Sequence, residues 1–337
     1  MIPAIEPRRV RDEARMLCLD AAVGSFQDAA CTDLPSLLDP GDLLIVNDAA
    51  TIPASLSAGR TEIRLLRHLG AADWNAVLLG PGDWRTPTEL RDPPERVNVG
   101  GVLDVAPEFS ATVTSINDLS GRLVALRFSK EGSAMWSAIY AHGRPIQYSY
   151  LRNDLALWDV QTAYASRPWA AEMPSAGQPL SWRILLALKR RGVRIASLTH
   201  AAGISAAGEE DVDASLPFVE QFEIPQTTID AIEAAHRGRH RVIAVGTTVV
   251  RALEGSAAVN GGAAKAGRGE TGLIIDRIFK PRVIDGILTG VHDPAQSHFR
   301  LLRAFADEKL LRSAWRHATE AGYRCHEFGD LCLIASL

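Results

Sequence analysis

Residues 241–254 read RVIAVGTTVVRALE, a stretch whose residue types and spacing suit ligand binding. An apolar run, Val242 to Val245, enters Gly246-Thr247-Thr248, and a helical pattern then carries Arg251 about one turn in. A strand, a tight turn and a helix start in this order present backbone N–H groups, two hydroxyls and the positive end of a helix dipole. Such a corner suits an anion or a sugar hydroxyl. It is not a phosphate loop of the GxxxxGK[ST] form, because the glycines and the lysine are missing. Many α/β proteins turn this way with no ligand, so the segment alone leaves both readings open.

The corner has to be held by neighbouring elements. Residues 42–56 read as a buried strand, Leu43 to Val46, ending in a polar turn at Asn47-Asp48. From 57 to 140 the pattern changes to short alternating stretches (TEIRLLRHL, WNAVLLG, ERVNVGGVLDVA, SATVTSIN, GRLVALRFS) separated by Gly, Pro, Asp and Asn, which predicts a small antiparallel barrel or sandwich. After 143 the pattern returns to α/β. The sequence predicts helices at 181–191, closed by Gly192, and at 227–237, followed by Gly238. Strands are expected at 193–199, in GLIIDRIF, in VIDGILTG and in LCLIAS, a mobile Gly/Ala-rich loop at 255–270, and helix over 295–320. The expected architecture is a larger mixed α/β domain of residues 1–56 and 141–337, interrupted by a small inserted antiparallel β-barrel domain at 57–140.

Composition narrows the function classes. The chain has 337 residues, 47% of them hydrophobic and 23% charged, with a formal net charge of −4. A strongly basic footprint over the whole surface is excluded, though local patches remain (Arg8-Arg9-Val10-Arg11, Lys189-Arg190-Arg191 and 236–241). The cysteines, Cys18, Cys31, Cys325 and Cys332, form no CxxC pair, and no histidine stands at zinc-ligand spacing from them. Reduced buried thiols are expected, and no metal. Cys325-His326-Glu327 has suitable types but no partner cluster. The N-terminus lacks the apolar core of a signal peptide, and no segment is apolar for long enough to span a bilayer. A cytoplasmic protein is the expectation.

Taken in order, further segments carry a resemblance. They are Asp42 to Asp48 with Ile52-Pro53-Ala54, Gln161-Thr162-Ala163-Tyr164-Ala165, Pro174-Ser175-Ala176-Gly177, His200, and Glu220-Gln221-Phe222-Glu223-Ile224. Val245 to Arg251, Gly269-Glu270-Thr271, His292 with Pro294, Ala304-Phe305-Ala306 and Phe328-Gly329-Asp330 complete the set. Each is short, but the order and spacing together make the chain resemble the S-adenosylmethionine:tRNA ribosyltransferase-isomerases of queuosine biosynthesis. The resemblance implies the same two-part architecture, S-adenosylmethionine as a substrate, tRNA as a partner and no metal.

The departures fall in the motifs. Where the family usually has Pro-Thr-Ala-Gly-Leu-His-Phe, the last three positions here are Gln178-Pro179-Leu180. The usual Gly-x-Gly-Thr-Phe loop after the histidine is here Ala201-Ala202-Gly203-Ile204-Ser205, and Pro217-Phe218-Val219 stand where Met-His-Ser precedes Glu220. The usual Asn-Asp-Thr-Arg or Asn-Asp-Thr-Lys is Asn47-Asp48-Ala49-Ala50, and Asn-Phe-His-Leu-Pro-Lys-Ser is Gly290 to Gln296. Such changes suit a paralogue with an altered substrate.

The family reaction, as the resemblance implies it, moves the ribosyl part of S-adenosylmethionine onto 7-aminomethyl-7-deazaguanine in a tRNA anticodon and forms an epoxycyclopentanediol. Adenine and methionine leave. This needs a base for the carbon beside the sulfonium, a partner for the departing adenine, and polar groups for the ribose and the amino-acid tail. His200 follows an expected strand and is either that base or acid or a structural histidine. Glu220 and Glu223 would hold ribose hydroxyls or attract the sulfonium, or lie on a solvated face. Glu270 would close over a ligand or be a loop carboxylate. Thr247, Thr248 and Arg251, on the Gly246 turn, would take a carboxylate or ribose, unless Arg251 pairs with Glu254 or another acid. His292 is a site residue or a helix-start cap. Asp48 and Asp330 bind substrate or cap backbone N–H groups, and the loop with Ser175 and Gly177 allows close backbone approach. Tyr148, Tyr150 and Trp169 would stack on a base or fill the core. Two rivals stand beside this reading: an enzyme using S-adenosylmethionine with a non-tRNA acceptor or as a lyase, and a non-catalytic binding protein on the same scaffold. The oligomeric state is open.

Overall fold

A computed structural model describes residues 1–337, apart from the side chain of Ser297. Leu43–Asn47 and Val242–Val245 are buried along their whole length. Successive strand side chains point to opposite faces, so such strands need cover on both sides. Leu43, Ile45, Val242 and Ala244 pack with helices Gln226–Arg237 and Thr247–Val259, while Leu44, Val46, Ile243 and Val245 pack with Leu34, Leu38 and helix Trp182–Arg191.

These strands belong to a nine-stranded sheet built from β1 (Arg15–Asp20), β2 (Ser25–Ala30), β3 (Leu43–Asn47), β4 (Arg194–His200), β5 (Glu220–Ile224), β6 (Val242–Val245), β7 (Gly267–Thr271), β8 (Gly286–Gly290) and β9 (Leu331–Ala335). The spatial order is β7-β5-β4-β3-β6-β8-β9-β1-β2. The central β4-β3-β6-β8 run parallel, while β5 is antiparallel to β4 and β9 to β8. Helix Trp182–Arg191 starts where Ser181 Oγ accepts the Ile184 N–H at 3.4 Å and ends at Gly192, whose φ of 91° only glycine adopts readily.

A second sheet is antiparallel and six-stranded, in the order Ser55–Ala58, Thr61–Gly70, Asp73–Leu79, Leu123–Phe128, Phe109–Ile116, Val102–Ala106. Its two edge strands approach one another, so the sheet curls round Leu56, Ile63, Leu65, Trp74, Phe109 and Leu126, and Met135 and Ile139 of helix Gly132–His142 pack into the same core. Its first strand begins at Ser55. Ile204, Ala207 and Val212 join this core from the chain between β4 and β5, which binds the two sheets together. The fold is mixed α/β with a nearly closed antiparallel sheet. Among the described residues no helix is long and apolar enough to cross a membrane.

Three local expectations change, and one hairpin is added. Residues 272–279 form no strand; the Leu273 carbonyl accepts from Arg251 Nε at 3.3 Å instead of joining a ladder. Residues 255–270 are not one loop: the helix continues to Val259 and β7 starts at Gly267. Gly255 lets the two elements touch, since a Cβ there would stand 2.3 Å from Thr271 Oγ1. The helix over 295–320 is two, Ser297–Leu302 and Glu308–Glu320, the second started by Asp307, whose Oδ1 accepts the Lys309 N–H at 2.8 Å. The hairpin of β1 and β2 has no counterpart in the sequence reading, because β2 is largely polar and exposed at the sheet edge.

Glu254, proposed above as a partner for Arg251, does other work. It is buried and accepts the backbone N–H groups of Arg282, Val283 and Ile284 at 3.0–3.1 Å, fixing the approach to β8. Glu254→Ala leaves these donors without a partner, and urea unfolding is expected to show a loss of about 2–4 kcal/mol. A loss below about 0.5 kcal/mol would remove Glu254 from this role.

Candidate active site

The parallel strands end at one edge of the sheet, where α/β proteins place their sites. Asn47 closes β3, His200 closes β4, Gly246 follows β6 and Gly290 closes β8. Gly246 has φ 90° and ψ 157°, which lets the chain turn straight from strand into helix. The Ser175–Gly177 turn abuts it; a Cβ on Gly246 would meet the Ala176 Cβ at 3.5 Å. Gly177 is itself pressed against the Tyr164 hydroxyl, leaving no room for a side chain. Thus two of the candidate loops, 174–177 and 246–248, meet.

Arg251 turns out of the helix toward β5, and its Nη1 forms an ion pair with Glu220 Oε2. Arg251 is 6% exposed, and Glu220 Oε1 also accepts the Gly203 N–H at 2.9 Å. His200 Nε2 lies 3.4 Å from the same Glu220 Oε2, but neither ring nitrogen has a well-aligned hydrogen-bond partner, and the residue is 0% exposed. Burial pushes the His200 imidazole down to about 4; the Arg251 cation acts in the same sense and Glu220 opposes both. Asn47 clamps the strand end, accepting the His200 N–H at 2.9 Å and donating to the His200 carbonyl at 3.0 Å and to Thr248 Oγ1 at 3.3 Å. Glu220, Arg251, His200 and Thr248 are therefore one connected group, with Thr247 beside them at the start of the helix.

Strand geometry separates the other acids. His200 pairs with Phe222 and Thr199 with Glu223, so Glu220 shares a face with His200 while Glu223 lies on the other. Glu223 is held by Arg167 at 3.0 Å and Arg268 at 2.8 Å, and these bonds lower its carboxyl pKa. On that face Asp48 accepts from Thr199 Oγ1 at 2.6 Å and Ser197 Oγ at 3.1 Å. Asp330 accepts the Arg15 and Arg324 N–H groups at 2.9 and 2.8 Å and pairs with Arg8 at 2.5 Å, the backbone-capping option. Glu270 lies on β7 and pairs with Arg67 of the six-stranded sheet.

His292 is held by Thr289 Oγ1 at 3.0 Å and stacks on His298, ring centroids 4.8 Å apart and 12° from parallel. Burial lowers its pKa to about 3, with His298 adding to the effect. The charges of Glu220 and Arg251 act on His298, which links this pair to the group around Glu220. His298 escaped the sequence reading; its only signal was a second histidine six residues after His292. Beyond it lies a cluster assembled from distant positions. Tyr148 donates to Glu172 and Tyr150 to Glu327, the two phenol rings are stacked at 6.2 Å, and His326 stacks on Tyr150 at 4.1 Å. Burial raises both carboxyls and both phenols.

A cleft of about 410 Å³ opens beside the Glu220 group, between the two sheets. Glu220, Gly203 and Phe218 line one wall, and Leu66, Asn75 and Ile116 the other. Among the described residues no three His, Cys, Asp or Glu side chains gather to hold a metal ion.

The family model described as queuosine biosynthesis protein matches residues 2–334. The chain belongs to this family. A Gluconacetobacter diazotrophicus protein named S-adenosylmethionine:tRNA ribosyltransferase-isomerase is 35% identical over 340 residues, covering 98% of this chain and 92% of that protein. One of the same name from Parvibaculum lavamentivorans is 32% identical over 347 residues, covering 98% and 95%. The crystal structure of S-adenosylmethionine tRNA ribosyltransferase from Thermotoga maritima shares the fold, with a TM-score of 0.54 and 23% identity over 99% of this chain and 96% of that one. Set on this queuosine biosynthesis scaffold, two altered motifs acquire positions. The 201–205 loop lies against Glu220 through its retained Gly203, and Gln178 is buried with Leu180 in the core.

His200 and His292 have a consequence for stability. Their folded pKa values, about 4 and about 3, lie below the ordinary 6.5. The unfolded chain therefore binds more protons at acid pH, and the stabilisation from keeping them neutral is complete above 6.5 and is lost as pH falls toward 4. Each is expected to contribute a loss of about 2 kcal/mol between pH 7 and pH 5. Urea unfolding at the two pH values checks this: His200→Gln should remove about half of the drop, and an unchanged drop would contradict it.

Proposed function

We propose that this member of the family takes S-adenosylmethionine as donor, and transfers and isomerises its ribosyl moiety onto 7-aminomethyl-7-deazaguanine in tRNA, giving epoxyqueuosine with release of adenine and methionine. We also infer that 57–140 is an inserted barrel unit in a catalytic-type α/β unit of 1–56 and 141–337. The observation that carries the functional reading is the convergence of Glu220, Arg251, His200 and Thr248, from three separate family-like segments, at the parallel-strand ends beside a cleft.

In this reading Glu220 is the central group. Its carboxylate lines the cleft and would face the sulfonium, whereas His200 is sealed from it and stays neutral at pH 7. Arg251 and the Gly203 N–H fix the carboxylate, and sealed His200 lies 3.4 Å from it. Thr247, Thr248 and the N–H groups at the helix start hold ribose or carboxylate oxygens. His292, neutral and oriented by Thr289, offers a hydrogen bond to the sugar or the departing base.

A second reading, with the same donor but another acceptor, is favoured by the cluster of Tyr148, Tyr150, Glu172 and Glu327, where both carboxyls accept from phenols rather than forming salt bridges and Arg64 lies over the Tyr148 ring.

Calorimetry with S-adenosylmethionine tests the donor: no binding by folded protein overturns it. Adenine release from labelled S-adenosylmethionine tests the acceptor. Release that depends on tRNA carrying 7-aminomethyl-7-deazaguanine is expected, with His292→Ala lowering kcat by about 10²-fold. Release indifferent to tRNA would replace the first reading by the second.

A further inference from the structure

The cleft between the two sheets is more specific than a general opening. Leu66, Ala76 and Ile116 line it from the six-stranded sheet, and Ile204, Leu216 and Phe218 from the chain between β4 and β5. An apolar lining that includes an aromatic ring suits a flat ring system, whose faces stack while its edges stay free for hydrogen bonding. Asn75, Asn117 and Asp118 also line it. Asn117 Oδ1 accepts the Leu119 N–H at 2.8 Å, so its amide is oriented with the NH2 group left to donate. An amide donor beside a carboxylate acceptor matches the adjacent ring acceptor and exocyclic amino donor of adenine, as paired donors and acceptors do wherever proteins read that base.

The charges decide against a nucleotide. Arg67 lines the cleft, but its Nη2 is held by Glu270; its Nε is buried without a partner. Asp118 and Glu220 contribute carboxylates to the same cavity. A phosphate would meet these two acids against one guanidinium already paired, whereas a neutral or cationic nucleoside would not. The volume of about 410 Å³ is in the range of small-ligand pockets.

We propose that this cleft is the base subsite of the proposed donor: it takes the adenine of a nucleoside carrying no phosphate, stacked against Phe218 and read at its edge by Asn117 and Asp118, with the sugar directed inward to Glu220. This rests on the donor reading above. The barrel-like sheet thereby becomes half of the donor pocket, and Arg67 with Glu270 straps the two halves together beside it.

The test uses the full chain. Calorimetry compares adenosine, inosine, AMP and S-adenosylmethionine on the native protein and on Phe218→Ala and Asn117→Ala, and 8-azidoadenosine photolabelling maps the contact without any substitution. Adenosine is expected to bind at least about tenfold more tightly than inosine or AMP, with each variant weakening it about tenfold. The label is expected on peptides containing 115–118 or 216–219. S-adenosylmethionine binding with a label elsewhere, or with affinity indifferent to both variants, overturns the subsite and leaves the donor reading standing. No binding of S-adenosylmethionine by native protein overturns both.

Discussion

The ion pair between Arg251 and Glu220 is the constraint on which the site depends. Both charges sit where water barely reaches, and a buried charge without its partner costs several kcal/mol, about 3–5 when one member of such a pair is removed. The pair joins the helix that follows β6 to β5, the strand that reverses direction at the flank of the parallel core. It thereby fixes where β5 stands, and with it Gly203, whose N–H binds Glu220, and the wall of the cleft from Leu216 to Gln221. Carbonyls of Phe218 and Thr271, both 3.4 Å from Arg251 Nη2, draw the ends of β5 and β7 to the same guanidinium. Replacing the pair by apolar groups would leave these backbone groups without their common partner.

Around that pair the strands sort the polar groups by parity. Glu220 and His200 face the helices on one side; Glu223, Thr199, Ser197 and Asp48 face the other with Arg167. The second set satisfies itself: its carboxylates already accept hydroxyl or guanidinium hydrogens. The first set is less complete, since both nitrogens of His200 are without partners. An unsatisfied buried imidazole is costly in a purely structural role, and this one stands next to a carboxylate that also reaches the cleft.

Much of the α/β frame was legible in the sequence because its signals are local. Ser181 and Gly192 bracket a helix, and the apolar runs at 43–46 and 242–245 have the length and continuity of buried parallel strands. The VGTTVVR corner was legible for the same reason. Arg251's partner was not. Glu254, three residues on, looks suitable, but it lies under backbone N–H groups at 282–284, and the true partner is 31 residues upstream. Parity along β5 would have separated Glu220 from Glu223 once the strand was assigned. The apolar run at 272–279 misled because apolarity without ladder partners does not make a strand. Neither the His292–His298 stack nor the phenol–carboxyl cluster could be read, since each is made by tertiary contact.

That cluster differs from the Glu220 group in what holds it. The Glu220 group and the Gly246 corner are built on the parallel-strand ends, whose packing tolerates little change. Tyr148, Tyr150 and Glu172 come from the irregular chain between the second sheet and helix Trp182–Arg191, and Glu327 from the turn before β9. Irregular segments can exchange side chains without disturbing a sheet. Burial makes ionisation of Glu172 and Glu327 harder, and a cation placed among them would ease it. The division is therefore physical: the sheet holds the Glu220 group in fixed geometry, while irregular chain holds the phenol–carboxyl cluster, with His326 stacked on Tyr150.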